Sequence, residues 1–101
     1  MSYAILRWAI EGHRSLTGIY DNYVRYFSPH MLGSNANGNP IVICFQYGGG
    51  RPDRILTPEG EWCHFAVDRL RRLETNRDKW VAGPPENKPS HLLIRIDLDG
   101  D

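Results

Sequence analysis

Apolar and polar residues alternate with a period of two along much of this chain, and a helical period occurs only at its start. Leu16, Gly18 and Tyr20 fall on one face of 15–20, with Thr17 and Ile19 on the other, which predicts a strand. Asp21 and Asn22 signal a turn, and 23–28 predicts a second strand, Val24, Tyr26 and Ser28 alternating against Tyr23, Arg25 and Phe27. The two read as a hairpin. Ahead of them, 3–11 predicts an amphipathic helix with Ile5, Leu6, Ala9 and Ile10 on one side, Ser2 as N-cap and Gly12 just past its end.

Pro29 cannot donate to a ladder, so the second strand is expected to end there or to lie on an edge. The stretch 33–40 is a turn-rich loop with Asn37-Gly38 as a hairpin corner. Ile41 to Tyr47 is the most apolar run, a strand expected to be buried on both faces. Loops are expected over 48–53, 55–60 and 83–89, short strands over 62–66 and 73–76, and a single helical or 3-10 turn within 67–72. A final strand over 91–98 is expected to bury Leu92, Ile94, Ile96 and Leu98. One helix followed by five or six short strands predicts a mainly β domain, a small curved antiparallel sheet or partly closed barrel.

The chain has 101 residues, 41% of them hydrophobic, enough for one core and too few for a barrel enzyme or a dinucleotide fold. Its 12 basic and 12 acidic residues cancel, which disfavours sequence-independent binding to long duplex DNA and leaves room for a local basic patch. There is no membrane-length apolar run and no basic, apolar leader, so the expectation is a soluble cytoplasmic protein.

No catalytic or cofactor signature is present. Cys44 and Cys63 form no CxxC; two reduced thiols are the simpler expectation, with a disulfide conceivable if their strands pair. His13, His30, His64 and His91 lack metal-ligand spacing. Ser28 with His30, and Cys63 with His64, are not nucleophile pairs, because neighbouring strand residues point apart and no GxSxG exists. The loop at 48–53 lacks the GK[ST] of a phosphate loop. No enzyme, metal or cofactor is expected.

The stretch 25–38 instead resembles a recognition site, with an arginine and a histidine around a short apolar segment. Arg25 can fork onto a phosphate or carboxylate, or pair with Asp21 or Glu11 as a plain surface residue. His30 can donate to an anion or sit satisfied in a turn. Tyr20 offers a ring and a hydroxyl, or a place in a barrel wall. Gln46 and Tyr47 end the central strand and reach towards a barrel mouth. Arg69 either serves the site or pairs with Asp68 or Glu74; Trp62 and Trp80 read as core or rim.

The order of these pieces resembles the WYL domain. The likeness covers 4–74: the helix with Ala9 and Ile10, the strand ending in Ile19-Tyr20, the run from Arg25 to Leu32, the Gly38 turn, the apolar strand, and the segment from Trp62 to Leu73. Phe65, Asp68, Arg69 and Leu70 match that family's F-x-x-D-R-I element, with leucine for isoleucine. The naming Trp-Tyr-Leu tripeptide is replaced by Ile41-Val42-Ile43.

The resemblance implies an Sm-like or SH3-like five-stranded barrel over 15–76, with a helix before it and an extension after it. It also implies a pocket lined by Arg25, with Arg69 as the second basic position. Such domains sit mostly in bacterial regulators, usually behind a winged helix, where they sense a small effector or a piece of nucleic acid. For 101 residues the expectation is a stand-alone sensor or a fragment. Its partner would be a small anionic ligand, such as a nucleotide or short single strand, with a homo-oligomer or a separate DNA-binding regulator as further partners. A self-associating protein-interaction module is the competing expectation.

Overall fold

In the computed structural model, which describes residues 2–101, the chain opens with α1 (Ser2–Glu11), whose Leu6, Ala9 and Ile10 are buried. Six strands follow: β1 (Leu16–Tyr20), β2 (Tyr23–Ser34), β3 (Pro40–Gly49), β4 (Glu61–Ala66), β5 (Arg71–Thr75) and β6 (Arg95–Asp99). Short 3-10 turns at Val67–Arg69 and Ser90–Leu92 precede β5 and β6. The β2–β3 corner is the expected one, with Gly38 at φ +80° and its amide bonded to the Asn35 carbonyl at 2.9 Å.

All pairings are antiparallel, in the order β4-β3-β2-β1-β5 with β6 also on β2. The sheet has six strands rather than five, and its end strands β4 and β5 form no ladder with each other, so it is not closed. A side chain bridges from one end strand to β1 instead: the Ala66 amide at the end of β4 donates to the hydroxyl of Tyr20, the last residue of β1, at 3.0 Å.

Pro29 does not end β2. One edge of the strand follows β3 along its length, while the other pairs with β1 up to Phe27 and with β6 from Met31 onward. Pro29 falls in the gap between those two partners, where no ladder donor is needed. The 80–81 segment covers the gap: the Val81 amide donates to Ser28 Oγ at 2.8 Å and the Trp80 indole to the Pro29 carbonyl at 3.1 Å.

The last strand is also shorter than expected. Residues 90–92 form a turn, and β6 begins at Arg95. Leu93 is buried, but Ile94 and Ile96, expected inside, are 72% and 54% exposed. β6 lies against Gly33, where a Cβ would come within 2.0 Å of the Arg95 carbonyl oxygen. Gly33→Ala is therefore expected to cost about 1–3 kcal/mol by forcing backbone apart. Loss of amide-exchange protection at Ile96 and Leu98 would report the opening; unchanged protection there would contradict it.

β3 is buried on both faces, as its apolar run implies. Val42 and Cys44 join the main core with Leu6, Ile10, Leu16, Phe27, Leu32 and Phe65, while Ile41 and Ile43 pack with Met31 and Leu93 behind the sheet. Cys44 and Cys63 stand opposite each other in the β3–β4 ladder as free thiols, their sulfurs 3.4 Å apart. Burial pushes the Cys44 thiol well up, which keeps it protonated.

Candidate functional site

The face of the sheet that carries the main core ends at one edge in polar side chains. Leu16, Gly18 and Tyr20 share a face of β1, Arg25 and Phe27 share one of β2, and Val42, Cys44 and Gln46 share one of β3. Tyr20, Phe27 and Cys44 belong to the core, and Arg25 and Gln46 stand at its rim.

Arg25 is 4% exposed. Its Nη1 donates to Gln46 Oε1 at 3.2 Å and its Nη2 to the Tyr20 carbonyl at 3.0 Å. The guanidinium lies 5.5 Å from the Tyr20 ring centroid and 5.3 Å from that of Phe65. Gln46 is fixed in turn, its amide donating to the Gly48 and Gly50 carbonyls at 3.0 Å each. Arg25 Nε is buried with no hydrogen-bond partner, and among the described residues no carboxylate pairs with this cation. Buried charges are ordinarily paired, since desolvating one costs several kcal/mol.

Arg25 borders a cleft of about 360 Å³ between the end of β1, β4 and the 51–54 loop. Trp62, Cys63 and His64 supply much of the β4 wall. Arg51 and Arg54 enter from the loop, both bonded to Glu61, with Arg51 also on Asp53 at 2.7 Å. The Arg54 guanidinium holds the Glu61 carboxyl down to about 2, and Arg51 holds Asp53 below its ordinary value. Arg51 and Arg54 are thus matched by carboxylates, and Arg25 is the cation left without one.

Arg69 approaches the same corner from the turn after β4. Its guanidinium sits 4.8 Å from the Tyr20 centroid and pairs with Asp21 rather than with Asp68 or Glu74. The structure thus brings Tyr20, Arg25, Gln46 and Arg69 together.

It does not bring His30 or Tyr47 to them. His30 is fully buried behind the sheet, 4.1 Å from the Trp80 ring and 4.8 Å from Trp62, bonded to the Val81 carbonyl at 2.9 Å and facing the Asp101 carboxylate at 3.0 Å. Tyr47 points away from Gln46, its hydroxyl donating to Asp78 at 2.8 Å and accepting from Asn76 at 3.0 Å. Sequence reasoning missed Arg51 and Arg54; the available signal was two arginines flanking Pro52-Asp53 in the loop between two predicted strands.

No family model matches the chain, and neither a curated protein nor a solved structure matches it.

The site is therefore read from its own geometry. A buried guanidinium with a free N–H, beside aromatic rings and two further arginines, can accept an anionic group and stack a planar one. Among the described residues no three His, Cys, Asp or Glu side chains gather to hold a metal ion, and no helix is long and apolar enough to cross a membrane.

Proposed function

We propose that this chain is a ligand-sensing regulatory domain of the WYL kind, binding a small anionic effector in the Arg25 cleft. The ligand class is a nucleotide or a short single-stranded nucleic acid, because a cation beside aromatic rings is the combination such molecules need. The observation that carries this reading is Arg25: a cation 4% exposed, with neutral hydrogen-bond partners and an unpartnered Nε. An anion docked there would supply its missing counter-charge.

An SH3-like or Sm-like reading of the fold belongs with this proposal. It is supported by the helix before β1, the long β2 serving two partners on one edge, and the 3-10 turn between β4 and β5.

The test is titration with AMP and with short oligonucleotides, followed through the amide resonances of Tyr20, Arg25, Arg51 and Cys63. Saturable shifts at these positions are expected. Their absence up to millimolar probe would reject the cleft as a site for this ligand class.

One observation favours a second reading, self-association. β6 pairs only with β2 among the described residues, and its free edge carries the exposed Ile96, with the exposed Ile94 just before it. Light scattering that stays monomeric at high concentration would count against it.

A further inference from the structure

A second cleft, of about 410 Å³, lies where the end of α1 and the 12–15 connection meet the segment leaving β5. Six of the 12 basic side chains pair with a carboxylate: Arg7, Arg51, Arg54, Arg69, Lys88 and Arg95. Three of the other six, Arg14, Arg77 and Lys79, line this one cleft, all exposed and without a carboxylate partner among the described residues. Asp78 also lines the cleft, but its carboxylate accepts from the Tyr47 hydroxyl at 2.8 Å and pairs with none of the three cations.

Two indoles complete the walls. Trp8 is 48% exposed, with the Arg14 guanidinium 5.2 Å from its ring centroid. Trp80 stacks on His13 at 4.0 Å and 7°. The cation-bearing segment is held in place: Ser15 Oγ donates to the Lys79 carbonyl at 3.0 Å, and the Asp78 amide donates to Asn76 Oδ1 at 2.9 Å.

The negative end of α1 accounts for little of this arrangement. The Trp8, Ala9 and Ile10 carbonyls already accept from the amides of Gly12, Arg14 and His13. Arg77 and Lys79 also arrive from a different part of the chain. A protein of zero net charge that gathers three unmatched cations beside an exposed indole is built for an anion that carries a ring.

We propose that this cleft is a second binding site, for a phosphate joined to an aromatic base. Arg14, Arg77 and Lys79 take the phosphate, and the exposed part of the Trp8 indole takes the base. The site does not depend on the Arg25 cleft: Ser15, just before β1, and Tyr20, its last residue, are about 17 Å apart at the rise of a strand.

The experiment follows the Trp8 indole and Lys79 amide resonances during titration with inorganic phosphate, AMP and a short oligothymidylate. Both resonances are expected to shift with AMP or the oligonucleotide, and far less with phosphate. Affinity that grows with oligonucleotide length identifies a nucleic-acid strand as the source, and equal affinity for AMP identifies a free nucleotide. The double variant Arg14→Gln/Arg77→Gln is expected to bind at least about tenfold more weakly, the effect of losing one charge-assisted hydrogen bond. Arg25→Met is expected to leave this binding intact, which separates the fate of the two clefts. The proposal is overturned if neither resonance moves, if phosphate alone binds as well as AMP, or if the double variant binds like the parent.

Discussion

Arg25→Met is expected to weaken binding of anionic ligands in the first cleft by at least about 100-fold while leaving the folding stability within about 1 kcal/mol of the parent. The two halves of this result come from the same burial. A guanidinium 4% exposed and without a carboxylate carries a desolvation penalty of several kcal/mol. Its two hydrogen bonds and its contacts with Tyr20 and Phe65 offset part of that. Methionine is unbranched, fills similar space and packs well on both rings. It removes the penalty, but leaves Gln46 Oε1 and the Tyr20 carbonyl each short of a donor, at about 1–3 kcal/mol apiece. The opposing effects are of similar size and nearly cancel. The ligand has no such compensation, because the only cation without a counter-charge in that cleft is gone. Calorimetric titration and thermal unfolding of the same variant read both quantities. If Arg25 were a purely structural cation, the variant would lose about 3–5 kcal/mol of stability, as when one partner of a satisfied buried charge is removed, and that outcome would reject the binding role.

The sequence makes part of this legible, and the limits have physical causes. α1 and β1 follow from periodicity, because each buries a face against the same core, and β3 follows from an apolar run buried on both faces. The same alternation turns Tyr20, Arg25 and Gln46 inward on successive strands, which is why they meet. Gln46 and Tyr47 could not both reach the site, since neighbours on a strand face opposite ways. His30 leaves it because it stands five residues beyond Arg25 on β2, an odd offset that points it to the opposite face about 17 Å along the strand. The continuation of β2 past Pro29 rests on a gap between β1 and β6, partners nearly the whole chain apart, and no local rule contains it. β6 alternates in sequence yet leaves Ile94 and Ile96 in solvent, because alternation marks two faces without saying that either is covered. Arg51 and Arg54 lie in a loop, where residue type has no period to reveal direction.

Acidification from pH 6.5 towards pH 4 is expected to remove about 3 kcal/mol of stability through His30 alone. Burial is the dominant influence on the ring, and it pushes the imidazole down to about 4, with Lys88 and His13 adding to the shift. The Val81 carbonyl and the Asp99 charge favour the protonated ring, as does the Asp101 carboxylate near Nδ1. Asp101, however, is 41% exposed and shared with Lys88, so solvent screens it and burial prevails. The sign follows from the direction of the shift. An unfolded histidine titrates near 6.5, so below that value the unfolded chain binds a proton that the folded chain refuses. Stability is complete above pH 6.5 and falls as the pH drops through the window to about 4, where both states are protonated. Glu61, held down to about 2, adds its own loss as the pH falls from the ordinary carboxylate value towards 2, which leaves pH 6.5 to 5 diagnostic of histidine. His13, His64 and His91 are exposed, so His30 is the one whose solvation changes most on folding. His30→Gln lowers the stability at neutral pH by loosening the clamp on Val81, so the slope is the quantity to read rather than the level. Denaturant midpoints across pH 6.5 to 5 should fall in the parent and stay flat in His30→Gln; parallel slopes in the two proteins would show that the buried imidazole does not set the acid sensitivity.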